Sequence, residues 1–86
     1  MAQSYPDFAL SGDWQDIAVA AGYGAIANQR VTLQAKSNDV TLVYIGGAAA
    51  PAPRDGVALY VGNSLTGTSD HFWVKGRGSV AVLVED

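Results

Sequence analysis

The chain has 86 residues, enough for one small domain and too few for two. Hydrophobic residues make up 49% of it and charged residues 15%, which excludes the apolar-poor, highly charged composition of a disordered protein. The net charge is −3 and lysine and arginine do not cluster, which argues against nucleic-acid binding. The lack of cysteine excludes disulfides and thiolate sites. No apolar run approaches the ~20 residues of a membrane span.

The first twelve residues predict an extended N-terminal arm, followed by a single domain over 13–86. Tyr5, Phe8 and Leu10 are apolar residues that a free tail would not need. The arm is expected to dock on a neighbouring copy or subunit. The alternative left open is a segment that folds back over an unpaired strand of its own domain.

The segment Trp14–Val19 admits two interpretations. With Asp13 as N-cap, Trp14 and Ile17 would share one face of a short helix. Gly22 and Gly24 end that pattern after two turns, and isolated short helices are marginally stable. A strand or an irregular segment is therefore favoured here.

From residue 30 onward the apolar residues recur with a period of two, which is typical of strands. Arg30–Ser37 and Val40–Ile45 are separated by a polar turn and predict a hairpin. The Gly- and Pro-rich stretch Gly46–Gly56 cannot pair regularly and predicts a crossing between sheets. Val57–Val61 predicts the next strand, and Gly62–Asp70 predicts a turn-rich loop.

The last two predicted strands are His71–Lys75 and Ser79–Glu85, joined by glycines that suit a tight hairpin. About six short strands predict an all-β fold, a small antiparallel β-sandwich or barrel that is jelly-roll-like and carries the N-terminal arm. Val40–Ile45 and Ser79–Glu85 carry apolar residues on both faces, more than a two-layer sandwich needs. With the low charge, this predicts a homo-oligomer in which another copy covers the second apolar face. The alternative is a surface of uncharged polar residues such as Ser, Thr, Asn, Gln and Gly.

Enzymatic chemistry has little support in the sequence. His71 is the only histidine, and a triad with Ser64 or Ser69 and with Asp55 or Asp70 lacks a nucleophile-elbow motif. The carboxylates occur without the spacing of a metal loop. The sequence therefore predicts no catalytic residue, no metal site and no cofactor.

The aromatic residues suggest either a protein interface or a platform for sugar rings, and aromatic residues in strands more often serve as core or interface anchors. Trp73 is opposite in parity to Phe72 and Val74, so one of these sets faces outward. The candidate interface residues are Tyr5, Phe8, Leu10, Trp14, Tyr44 and Trp73.

Four segments, taken in their order along the chain, carry a resemblance to known proteins. The first is Trp14–Ile17 followed by Gly22, and the second is Val31–Gln34. The third is Val43–Gly47 with the Ala/Pro segment and Asp55-Gly56 that follow it, and the fourth is Trp73–Val80. Over residues 13–85 the chain resembles the small β-sandwich structural proteins of tailed-phage virions, including head decoration (cementing) proteins.

The resemblance implies a non-enzymatic virion protein, in its most specific form a capsid decoration protein. Such a protein would bind across major capsid protein subunits on the outside of the head and stabilise it. The resemblance also implies homo-oligomers, with trimers preferred, made in the host cytoplasm. The alternative is a glycan- or host-binding module of a tail fibre, spike or other tail component.

Overall fold

The computed structural model describes residues 3–20, 23, 26–47, 49, 51 and 55–85, and of Gln3 the backbone alone. Over these residues the fold is all-β, with two antiparallel sheets of four strands each. No helix in these ranges is long and apolar enough to span a membrane. The strands are β1 (Gln3–Ala9), β2 (Gln15–Asp16), β3 (Arg30–Ala35), β4 (Thr41–Ile45), β5 (Val57–Leu59), β6 (Ser64–Thr68), β7 (Phe72–Lys75) and β8 (Ser79–Glu85).

The eight strands pair first with last and inward along the chain, like the two arms of one long hairpin. β1 pairs with β8, β2 with β7, β3 with β6 and β4 with β5. Two further pairings, β3 with β8 and β4 with β7, complete sheet A in the order β1-β8-β3-β6 and sheet B in the order β2-β7-β4-β5. The chain therefore changes sheet at every connection except the one from β4 to β5.

This topology corrects the predicted strand count and pairing. The structure has eight strands rather than about six, because β1 and β6 were assigned to an arm and a loop. The two predicted hairpins, β3–β4 and β7–β8, are wrong, since their strands lie in different sheets. The connection over 46–56 joins strands of the same sheet and is not the predicted crossing; parts of it lie outside the described residues. Strand periodicity shows which face is buried, but it does not select the partner strand.

The segment predicted as an extended arm is, over Gln3–Ala9, the first strand of sheet A. It pairs with β8, with an irregularity between Tyr5 and Phe8. The ring of Tyr5 stacks on Tyr23 with centroids 5.9 Å apart, and Phe8 meets the same ring edge-on at 5.6 Å. The Tyr23 hydroxyl donates to the carbonyl of Pro6. The segment thus covers the edge of its own sheet, which was the alternative left open.

The region around residue 16 combines a strand with a single helical turn. The two-residue strand β2 is followed by a 3-10 turn at Ile17–Val19. The Asp16 carboxylate caps this turn by accepting the N–H of Ala18 at 3.0 Å. The favoured strand is present, but only over two residues, and the helical alternative is realised as one turn.

Side chains from both sheets contribute to one hydrophobic core. The close approach of the sheets is visible at Gly67 in β6, where an added Cβ would lie 2.7 Å from Cδ1 of Ile45 in β4. The core residues of sheet A are Val31, Leu33, Ala35, Val80, Val82 and Val84, and those of sheet B are Val43, Leu59, Phe72 and Val74.

Candidate protein-interaction face

The outward positions of β4, β5 and β7 are mostly apolar. Alternate residues of a strand point to opposite faces, and one set in each of these strands is buried. The other set therefore points away from the core. Its members are Leu42, Tyr44, Ala58, Trp73 and Lys75, of which Lys75 alone is charged.

The apolar positions continue past the ends of the strands. Val40 precedes β4 and Tyr60 follows β5, both in phase with the outward residues Leu42 and Ala58. Tyr60 is 62% exposed, Tyr44 37% and Val40 41%. We call this surface the apolar face and define it by Val40, Leu42, Tyr44, Ala58, Tyr60 and Trp73.

Tyr44 and Trp73 form the centre of the apolar face. They are direct partners in the pairing of β4 with β7. The indole N–H of Trp73 donates to the carbonyl of Gly47 at 2.9 Å, and a Cβ at Gly47 would lie 3.6 Å from Cε1 of Tyr44. Gly47 has a φ of +83°, a backbone conformation that favours glycine. The Gly47 turn therefore holds the Trp73 ring in place and lies in contact distance of Tyr44.

One margin of the apolar face combines a cation with an aromatic ring. The Lys75 ammonium lies 5.9 Å from the centroid of the Trp14 ring, within the range of a cation–π contact. Next to it is an open cavity of about 360 Å³, whose lining includes Val40, Leu42 and Gly76. Asp39 and Arg77 line the same cavity, so this margin combines apolar side chains with charged ones.

The outer face of sheet A has a different character. The hydroxyls of Thr32 and Thr66 lie 2.7 Å apart, and the Lys36 ammonium lies 2.5 Å from the Asp7 carboxylate. These polar contacts are exposed. The outward apolar residues of β8 are Ala81 and Leu83, both half-buried, and on β1 the outward Ala9 is small and exposed.

His71 joins two strands through a buried carboxylate. Its Nδ1 lies 2.5 Å from Oδ2 of Asp16, and Oδ1 of Asp16 accepts the N–H of Phe72 at 3.0 Å. The Ser69 hydroxyl donates to Asp70 at 3.3 Å and accepts the N–H of His71 at 3.3 Å. Among the described residues no serine hydroxyl bonds to the imidazole, so the serine-to-histidine contact of a nucleophilic triad is missing there.

The surroundings of His71 favour its charged form. The hydrogen bond that His71 donates to Asp16 raises the pKa of His71, burial lowers it, and the negative charges of Asp16 and Asp70 raise it further, with a net increase. Sequence reasoning assigned no contact to Asp16. The signal that could have found it is a carboxylate directly before the apolar residues Ile17–Val19, a position typical of an N-cap.

The predicted interface residues do not form one surface. Tyr44 and Trp73 lie on the apolar face, and Trp14 lies at its margin. Tyr5, Phe8 and Leu10 instead pack against the hydrophobic core. The sequence left open whether Trp73 or the pair Phe72 and Val74 faces outward; in the structure Phe72 and Val74 are buried and Trp73 is half-buried on the outer side.

The described ranges contain no group of three or more His, Cys, Asp or Glu side chains placed to hold a metal ion. Comparisons with models of known protein families, with curated proteins and with solved structures found no match. The resemblance to virion proteins therefore rests on the sequence segments alone.

Proposed function

We propose that this protein is a non-enzymatic structural protein of a phage virion and that it binds other proteins through the apolar face of sheet B. The observation that carries the proposal is the contrast between the two outer faces. Sheet B exposes Tyr44, Tyr60 and Val40, whereas sheet A exposes hydroxyls and an ion pair. A contiguous exposed apolar patch on a small domain is typical of an interaction site.

In its most specific form, the proposal is that the chain is a capsid decoration protein. It would lie on the head exterior and contact several major capsid protein subunits. This form takes its support from the sequence resemblance, which also favours trimers. The strand order supports a jelly-roll β-sandwich, an architecture of eight strands that occurs in viral capsid and lectin domains.

The proposed mechanism is mechanical. A domain bound across a subunit boundary must be removed, or one of its contacts broken, before the subunits separate. At ~25 cal/mol per Å², covering about 300 Å² of apolar surface contributes about 7 kcal/mol per copy before the costs of association. Repeated over many copies, this contribution would resist the internal pressure of a filled head.

The test replaces an exposed residue of the apolar face and compares it with a change on the polar face. Tyr44→Ser and Tyr60→Ser are expected to weaken self-association or attachment to the encoding phage's virions at least about tenfold, because aromatic anchors often contribute 2 kcal/mol or more. Arg30→Ala, on the outer face of sheet A, is the control. Sedimentation velocity, co-sedimentation with virions and thermal unfolding provide the measurements.

Two results would contradict the proposal. One is wild-type protein that neither self-associates at millimolar concentration nor attaches to virions. The other is unchanged association of both tyrosine variants. A tyrosine variant could lose association because it has lost thermal stability. The second variant Val40→Ser separates the two effects, because it changes an exposed residue of the apolar face outside the strands.

A second candidate function is glycan binding by a tail component. The observation that favours it is the direct pairing of Tyr44 with Trp73, which places two aromatic side chains side by side. Aliphatic neighbours such as Leu42 and Val40 favour a protein partner instead, because sugar hydroxyls need polar side chains beside the ring. In a glycan array, Trp73→Ala would remove reproducible signals and spare the oligomer if the surface binds sugar.

A further inference from the structure

The four edge strands of the two sheets differ in how their open edges are protected. β1 contains Pro6 and a break in register, β2 has two residues and β5 has three. Natural sheets use such short strands, prolines and bulges, together with charged residues, to prevent pairing with other chains. β6 has none of these features, since Ser64–Thr68 is five residues long, uncharged, free of proline and in unbroken register with β3.

The direction of the backbone groups in β6 follows from its hydrogen bonds to β3. The N–H of Ala35 donates to the carbonyl of Asn63 at 2.9 Å, in the same register as the ladder. In an antiparallel pair every second residue bonds to the partner, and the residues between them point the other way. Within the described chain β6 has β3 as its one neighbour. The backbone groups that point to the open edge are therefore those of Ser64, Thr66 and Thr68.

We propose that β6 is a self-pairing edge, at which the β6 strands of two copies pair antiparallel about a two-fold axis through Thr66. The two A sheets then become one continuous eight-stranded sheet. This inference deepens the proposed self-association by naming one of its surfaces, and it rests on that part of the proposed function. The edge is separate from the apolar face, which belongs to the other sheet.

The sequence of β6 fits a second copy of itself. Pairing about Thr66 places Thr66 opposite Thr66 of the second copy and Ser64 opposite Thr68 of the second copy. Hydroxyls face hydroxyls at each of these positions, a favourable cross-strand combination, and no like charges meet. On the inner side Leu65 lies opposite Gly67 of the second copy. The space above Gly67 is occupied by Ile45, which gives the incoming leucine an apolar neighbour.

The size of this contact predicts its strength. The three edge-facing residues of each strand would form about six backbone hydrogen bonds. Five residues of strand edge bury much less than the ~800 Å² per partner of a stable complex. We therefore expect a weak pairing, populated at about 0.1–1 mM in solution and favoured where copies are concentrated on one surface.

Single cysteines test the pairing in the full chain, which contains no cysteine of its own. In Thr66→Cys, the two cysteines would have Cα atoms about 5.5 Å apart, within the range that a disulfide can join. The matched control is Thr32→Cys. It removes the same Thr32–Thr66 hydroxyl contact but lies one strand inward, about 14 Å from its counterpart. Under mild oxidation, Thr66→Cys is expected to dimerise at least about tenfold faster than Thr32→Cys.

Two further variants test the register. Thr68→Cys should form few homodimers, because residues 68 of the two copies would lie about 14 Å apart. An equimolar mixture of Ser64→Cys and Thr68→Cys should form the mixed disulfide, because these positions lie opposite each other. Equal dimerisation of Thr66→Cys and Thr32→Cys, or fast homodimerisation of Thr68→Cys, would overturn the proposal.

Opposite charges provide a test that involves no oxidation. Thr66→Lys and Thr66→Glu should each weaken sedimentation-detected self-association about fivefold, because like charges then meet at the two-fold axis. Mixing the two variants should restore the association, and a mixture no stronger than either variant alone would contradict the proposed register. Tyr44→Ser should leave cross-linking at residue 66 unchanged, so a failure of the apolar face and a failure of edge pairing give different results.

Discussion

Oδ2 of Asp16 lies 2.5 Å from Nδ1 of His71, although the two residues are 55 positions apart in the sequence. The side chain of Asp16 is 4% exposed, and its other oxygen accepts the N–H groups of Ala18 and Phe72, each at 3.0 Å. β2 has only two residues of its own in the ladder with β7. This carboxylate therefore supplies much of the attachment of the short edge strand and its 3-10 turn to sheet B.

Replacing Asp16 with alanine should strongly destabilise the domain. The amides of Ala18 and Phe72 would lose their buried acceptor, and an unsatisfied buried donor costs about 1–3 kcal/mol. We expect Asp16→Ala to lower the free energy of unfolding by about 3 kcal/mol, measured by denaturant titration. Asp13→Ala, at an exposed position, should change it by less than about 0.5 kcal/mol. Similar values for the two variants would contradict this role of the carboxylate.

The raised pKa of His71 makes stability depend on pH in a defined direction. Since the folded pKa lies above the unfolded value of about 6.5, proton binding favours the folded state. The contribution is fully present below about pH 6.5 and is lost as the pH rises through the folded pKa. The stability difference between wild type and His71→Gln should therefore be largest near pH 6 and shrink toward pH 9.

Proton NMR titration of the imidazole measures the same pKa directly. Asp16→Asn should lower the pKa of His71 more than Asp70→Asn, because the hydrogen bond to Asp16 is the largest cause of the increase and Asp70 lies 3.8 Å away at an exposed position. A wild-type pKa at or below 6.5, or a stability difference that grows with pH, would disprove the predicted direction.

Gly78 lies where the connection from β7 to β8 passes the connection from β3 to β4. Its φ is +89°, and a Cβ there would overlap Cβ of Ser37. The left-handed conformation and the overlap together should cost Gly78→Ala about 3 kcal/mol, a fall in Tm of about 10–20 °C. Gly12→Ala is the matched control, since a Cβ at Gly12 would meet nothing within 4 Å. Thermal unfolding of the two variants checks the difference, and equal Tm values would refute it.

The N-terminal strand should be part of the folding unit. Phe8 packs against Tyr23 and the core, so Phe8→Ala is expected to cost about 2 kcal/mol. Asp7→Ala removes an exposed ion pair with Lys36 and should cost less than about 1 kcal/mol. Deleting residues 2–11 should abolish cooperative thermal unfolding because it removes β1. A deletion variant with the Tm of the wild type would instead support a detachable arm.

Side-chain orientation within strands was predictable because the alternation of faces is local. The period of two over Arg30–Ala35 correctly separates buried Val31 and Leu33 from their outward neighbours. The parity of Trp73 correctly separates it from Phe72 and Val74, without showing which side is outward. The same local rule places Tyr44 on the face of Val40 and Leu42 and opposite Val43, again without showing which face is outward. The sequence could therefore group the residues that share a face of β4 or β7, whereas the packing of the two sheets decided which face is buried.

Strand pairing was decided by the tertiary structure, because it depends on which distant segments bring their buried faces together. β3 and β4 are neighbours in sequence, yet β3 pairs with β6 and β8 within sheet A, whereas β4 lies in sheet B. β6 was not predicted as a strand because Ser and Gly are typical of turns. Its strand conformation depends on the ladder with β3. The contact between Asp16 and His71 likewise exists only after β2 has paired with β7. The sequence by itself therefore determined the all-β class and which residues of the predicted strands share a face, whereas long-range pairing decided the sheet order, the open edge at β6 and the buried carboxylate.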